Sequence, residues 1–168
     1  MIAGHSLVAG RSGFGKTTLV KGLAQRFSDG GTPVLVLTTF PQDSWPADYI
    51  TDNPEEFIEK VFFHTGCFVV VDEGGEFAGQ YNKTMSKLAT RGRHNGHICV
   101  FIAQRATMIN VNIRANCNNL FIFKSCVDDC KILANDFAVS DLTGASNLEP
   151  GKCIAVIGSQ EPQLMRVF

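Results

Sequence analysis

The chain has 168 residues, 45% apolar and 18% charged. That composition excludes a disordered chain and suits one domain that buries roughly 70% of its unfolded surface around a single core. Fifteen Lys and Arg stand against sixteen Asp and Glu, for a net charge of −1, and the total taken alone argues against a strongly basic nucleic-acid binder.

In chain order the pattern alternates strand and helix. Ile2 to Ala9 predicts a strand, followed by the glycine-rich turn Gly10 to Gly15 and a helix over Lys16 to Ser28. Leu19, Val20, Leu23, Ala24 and Phe27 share one face of that helix, and Gly30-Gly31 ends it. Pro33 to Thr39 predicts a second strand, apolar on both faces as a buried parallel strand is. Phe40 to Asn53, with Pro41, Pro46 and the sole tryptophan, Trp45, is expected to be loop. Pro54 suits the first turn of a helix reaching about Phe63.

Cys67 to Val71 is a short apolar strand ending at Asp72-Glu73, and a glycine-containing loop leads to a helix over Gln80 to Thr90. Ile98 to Ala103 predicts the fourth strand, ending at Gln104-Arg105, and Leu120 to Phe123 the fifth. A helix over Asp128 to Phe137 follows. Lys152 to Gly158 and Gln163 to Phe168 then form a C-terminal β-hairpin around Gln160-Glu161-Pro162. Such alternation implies an α/β layered fold, a three-layer sandwich on a mostly parallel central sheet, with 1–168 as a single domain. The longest apolar run, Ile98 to Ala103, has six residues, against the about 18 that a membrane span needs, and the N-terminus lacks the features of a secretory signal. Of the six cysteines, Cys67, Cys99 and Cys153 sit in apolar strand-like runs, and the set reads as reduced and intracellular. Cys126 and Cys130 have helical spacing but no second pair or nearby His to complete a metal site.

Gly10-Arg11-Ser12-Gly13-Phe14-Gly15-Lys16-Thr17 fits G-x-x-x-x-G-K-[ST], the Walker A pattern. Glycines let successive N–H groups turn toward phosphate oxygens, and the following helix aims its positive end at the same point. Lys16 then reaches the β- and γ-phosphates, the Thr17 hydroxyl ligates Mg²⁺, and Gly10 through Thr18 form the predicted nucleotide-binding set. Asp72 emerges from the C-terminal edge of an apolar strand, where α/β ligands bind, and is the expected Mg²⁺ carboxylate of a Walker B pattern. Glu73 is assigned the general base that deprotonates or orients the attacking water, which favours hydrolysis over phosphoryl transfer to a small molecule. Pro33 to Thr39 stands between the phosphate-loop strand and the Asp72 strand, as in the ASCE branch of P-loop NTPases (the RecA-like branch with an added strand and a catalytic Glu). Gln104, at the end of the next strand, is placed to sense the γ-phosphate.

The near-zero net charge hides an asymmetry. Between Phe77 and Val127 there are seven basic residues and no acidic one, +7, whereas the remainder has 8 basic and 16 acidic residues, −8. Lys83, Lys87 and Arg91 form an i, i+4, i+8 stripe, away from Tyr81, Met85 and Leu88 on the expected core face. Such a stripe suits phosphates or an acidic neighbour. Arg93 and Arg91 are the first candidates for an arginine completing a neighbouring subunit's site, and Arg114 the next. His94 and His97 read as structural or DNA-facing.

Three stretches carry a family resemblance: Leu88-Ala89-Thr90-Arg91-Gly92-Arg93-His94-Asn95-Gly96-His97, then Val100-Phe101-Ile102-Ala103-Gln104-Arg105, then Ile113-Arg114-Ala115-Asn116-Cys117. They resemble the FtsK–HerA superfamily of DNA-translocating ATPases, in which a Gly-Arg pair precedes the fourth strand and a Gln-Arg pair ends it. The Leu148-Glu149-Pro150-Gly151-Lys152 turn and the hairpin are similar to its usual ending. The compact size looks most like the genome-packaging ATPases of viruses and phages with an internal membrane. The resemblance implies a homo-oligomeric ring of five or six subunits, ATP and Mg²⁺ bound between subunits, and double-stranded DNA threaded through a pore. It further implies capsid vertex or portal proteins as partners, and a place in the host cytoplasm or on the virion. The chain differs in having no separate DNA-reading or membrane domain. A P-loop ATPase for phage extrusion or plasmid transfer is the second reading. A nucleotide kinase or GTP switch is the third, and Asn82-Lys83-Thr84-Met85 lacks the Asp that a guanine-reading motif requires.

Overall fold

Among the described residues, short runs of β-branched and aromatic side chains build one eight-stranded sheet with helices on both faces. The computed structural model describes residues 2–72, 74–77 and 83–168. In chain order these give β1 (His5–Ala9), α1 (Lys16–Asp29), β2 (Val34–Leu37), β3 (Tyr49–Thr51), α2 (Pro54–Phe63), β4 (Phe68–Val71) and α3 (Gly74–Phe77). There follow α4 (Lys83–Arg91), β5 (Ile98–Ala103), α5 (Val111–Asn116), β6 (Cys117–Ile122), α6 (Val127–Asp136), β7 (Lys152–Ile157) and β8 (Gln163–Arg166). The spatial order is β3-β2-β4-β5-β1-β6-β7-β8. β1 to β6 run parallel, β7 pairs antiparallel with β6, and β8 pairs antiparallel with β7. This is the α/β P-loop architecture expected, with its C-terminal hairpin.

Alternation along each strand divides the core in two. Val8, Val36, Phe68, Val70 and Val100 face α1, which buries Leu19, Val20, Ala24 and Phe27 against them. The Phe27 and Phe68 rings stack at 4.4 Å. Leu7, Leu37, Val69, Val71 and Phe101 face the other way, onto Phe57 and Val61 of α2, Met85 and Leu88 of α4, Ile113 of α5 and Leu133 of α6. Cys67, Cys99 and Cys153 fill these cores, and burial pushes each thiol's pKa up.

The structure departs from the expectation in four places. Tyr49–Thr51, inside the stretch expected to be loop, pairs with β2 as an edge strand. β6 begins three residues earlier than expected, at Cys117, because its polar first half still pairs with β1 through Asn119. The short helices α3 and α5 had no amphipathic period long enough to announce them. The strand that separates β1 from β4 in the sheet is β5, whereas β2, which holds that place in sequence, lies outside β4. Gln80 to Asn82 of the expected helix, with Tyr81, lie outside the described residues.

Candidate nucleotide site

The phosphate loop is held where the C-terminal ends of β1, β5 and β6 meet. The Gly10 N–H donates to the Ala103 carbonyl at 3.2 Å and the Arg11 N–H to the Lys124 carbonyl at 2.8 Å. Gly10 has φ +138°, and a Cβ there would lie 2.7 Å from the Phe123 Cβ and 2.9 Å from its carbonyl carbon. The chain can turn this sharply against β6 only without a side chain. Gly15, with φ +108°, is the N-cap of α1 and offers it no side-chain acceptor. The first turn of this 14-residue helix thus receives no side-chain cap from Gly15, and its N–H groups point out of the helix end toward the loop, the local arrangement that receives an anion.

Lys16 is 8% exposed, and its Nζ donates to the Arg11 carbonyl at 2.9 Å. The ammonium thus arches back over the loop, and a phosphate oxygen can take the place of that carbonyl. Thr17 is half-buried, and Thr18 is exposed on the same turn. Asp72, just past β4, is 9% exposed, its backbone N–H anchored to the Leu37 carbonyl at 2.8 Å. A cavity of about 340 Å³ brings together Ser12, Gly13, Gly15, Lys16, Thr17, Thr18, Asp72 and Gln104. Arg11 is exposed on the loop, and Phe14 is half-buried, its ring 5.9 Å beneath the Lys124 ammonium. Glu73, expected as the base, lies outside the described residues.

The arginines divide into two groups. Gly92 closes the turn after α4, where a Cβ would meet the Leu88 carbonyl at 2.3 Å. The turn delivers Arg91 and Arg93 to the N-terminal end of β5. Arg93 donates through Nη2 to Asn118 Oδ1 at 2.7 Å and to the Asn116 carbonyl at 3.3 Å. Gln104 lies at the other end of the six-residue β5, about 20 Å away at the rise of an extended strand. The structure therefore does not bring Arg91 or Arg93 to the pocket of their own chain.

Arg105 and Arg114 are neutralised within the chain. Arg105 pairs with Asp129 at 3.2 Å, which holds the guanidinium pKa above its usual range. Arg114 pairs with Asp136 at 2.7 Å and donates to the Ala106 and Ile109 carbonyls. The +7 segment thus has acid partners in α6 for two of its cations, which the absence of acids within the segment concealed. Arg114, the third arginine considered for a neighbour's site, instead clamps the turn that follows Gln104. His97 is buried, its Nδ1 accepting the Cys67 N–H at 3.1 Å, so of its two expected roles it takes the structural one. Sequence reasoning missed Phe168, whose ring also lines the pocket. Its position depends on the pairing of β7 with β8, and no local motif marks it.

No protein-family model matches the chain, and no curated protein matches it. Solved structures share its fold. The genome packaging NTPase B204 from Sulfolobus turreted icosahedral virus 2, in complex with AMPPCP, superposes with a TM-score of 0.80 at 10% identity, covering 97% of each chain. The cytoplasmic domain of the Thermomonospora curvata type VII secretion ATPase EccC gives 0.72 at 13% identity, over 98% of this chain and 25% of that one. The pCW3 conjugation coupling protein TcpA, with ATPγS, gives 0.71 at 16%, over 98% of this chain and 60% of that one.

Proposed function

We propose that the chain is an ATP-hydrolysing motor subunit of a homo-oligomeric ring, pentameric or hexameric, that moves double-stranded DNA into a viral capsid. One observation carries the reading. Lys16, Thr17, Asp72 and Gln104 gather at the C-terminal edge of the sheet, while exposed Arg91 and Arg93 stand at the opposite edge. A head-to-tail ring joins two different surfaces of neighbouring subunits, and in this reading the Arg91–Arg93 edge is the one that meets the next subunit's pocket. The viral packaging NTPase with the same fold over its whole length adds support.

In this reading Lys16 and the N–H groups of the loop bind the β- and γ-phosphates. The Thr17 hydroxyl and Asp72 carboxylate are hard oxygen donors of the kind Mg²⁺ takes, and the ion, when bound, neutralises charge on the phosphate oxygens. Glu73 takes the proton of the attacking water, and Gln104 orients that water opposite the γ-phosphate. Arg93 or Arg91 of the adjoining subunit stabilises the charge that develops as the bond breaks. Lys87, exposed on α4 in the same stripe as Arg91, faces the DNA phosphates or the adjoining subunit. The motor works in the host cytoplasm at a capsid vertex or portal.

ATPase assays with and without duplex DNA test this. Lys16→Ala should abolish nucleotide binding or turnover, and Glu73→Gln should keep binding but stop hydrolysis. DNA should stimulate the wild type, with stimulation falling steeply as salt rises. A strict monomer insensitive to any DNA points instead to the nucleotide-kinase reading. The fold shared with a conjugation coupling protein makes plasmid transfer the second reading, separated from the first by whether capsid vertex proteins bind.

A further inference from the structure

The pocket has two ends, set by the sheet order. Asp72 and Gln104 come from β4 and β5, on one side of β1, and Phe168 comes from beyond β6, β7 and β8, on the other. A nucleotide with its terminal phosphate beside Asp72 and Gln104 runs back across the phosphate loop, so its base arrives on the β6–β8 side. The Phe168 ring stands there. The ring packs so closely on two glycines, one on each side, that a Cβ on Gly15 would lie 2.9 Å from Cε1, and one on Gly151 2.9 Å from Cε2.

The main chain holds the ring in place. The Val167 N–H donates to the Gly151 carbonyl at 2.8 Å, and the Gly151 N–H donates to the Phe14 carbonyl of the phosphate loop at 3.0 Å. Even so, Phe168 is 59% exposed. A large aromatic side chain held between two glycines, with much of its surface in solvent, at the mouth of a phosphate-binding pocket, is a surface for a flat heterocycle.

We propose that Phe168 is the stacking platform for the base of the bound nucleotide, an inference that rests on reading this pocket as a nucleotide site. Every base has a π-face, so the platform adds affinity with little preference among bases. Triphosphate recognition belongs to the loop, and base recognition to the hairpin.

The test compares Mg-ATP with Mg-tripolyphosphate, which carries the phosphates but no base. Phe168→Leu keeps bulk against Gly15 and Gly151 while removing the π-face, and Phe168→Ala removes both. Both variants should weaken ATP and GTP binding by roughly ten-fold and leave tripolyphosphate binding unchanged. Phe168→Trp should show emission quenched by ATP and not by tripolyphosphate, beyond any change from Trp45 in the wild type. Wild-type affinity for ATP in Phe168→Leu, or equal losses for ATP and tripolyphosphate, would overturn the platform while leaving the nucleotide site standing. Failure of wild type to bind either ligand would remove the site and the platform together.

Discussion

Replacing Arg114 with Ala separates a structural arginine from one that serves a neighbour. The Arg114 side chain is 10% exposed and that of Asp136 18%, so water reaches the pair only in part. The substitution removes the charged bond from Nε to Asp136 and the Nη1 bonds to the Ala106 and Ile109 carbonyls. A hydrogen bond to a charged group contributes about 1.5–3 kcal/mol and a neutral acceptor about 1 kcal/mol, and such losses overlap. The expected net cost is about 3 kcal/mol, or about 6–12 °C in Tm for a domain of this size. Urea unfolding should show a lower midpoint with an unchanged slope. Lys at this position should recover only part of the loss, because it cannot donate along all three directions. A stability change below about 0.5 kcal/mol, together with lost ATPase activity, would contradict the structural role of Arg114 and return it to the interface.

Two further outcomes follow from burial. Desolvation, with Arg93 nearby, lowers the pKa of His5 to about 4 from 6.5, and its Nδ1 accepts the Cys99 N–H at 3.0 Å. Between those values the unfolded chain takes up a proton that the folded chain refuses, so stability is full above pH 6.5 and falls with pH until about 4. His5 alone should cost about 2 kcal/mol between pH 7 and pH 5, and a flat urea midpoint over that range would contradict it. Gly10→Ala should abolish ATP binding, because its Cβ would sit 2.7 Å from the Phe123 Cβ. Normal affinity in that variant, measured by calorimetry, would mean that the loop does not need this close approach to β6.

What was legible in the sequence is what local chemistry dictates. Strand-length apolar runs announced β1, β2, β4 and β5, and the Gly10–Thr17 spacing announced the loop between β1 and α1. β3 has only three residues, two of which, Tyr49 and Thr51, are polar enough to pass for loop. Sheet order was not legible, since β5 enters between β1 and β4 from 30 residues downstream through pairings that no local pattern encodes. The ion pairs of Arg105 and Arg114 with α6 were hidden for the same reason. So was Phe168, brought to the phosphate loop by the hairpin. The convergence of Lys16, Thr17, Asp72 and Gln104, by contrast, follows from placing each just past the C-terminal end of a parallel strand or at the start of the helix that the phosphate loop leads into.

In the proposed ring, Arg93 of one subunit completes the next subunit's pocket. Arg93→Ala and Glu73→Gln subunits, each inactive alone, should regain ATPase activity when mixed. With random assembly about a quarter of the interfaces then pair an intact Glu73 with an intact Arg93. Recovery toward a quarter of wild-type turnover is the predicted result. No recovery from mixtures shown to co-assemble into rings would contradict it, and so would full activity in Arg93→Ala alone.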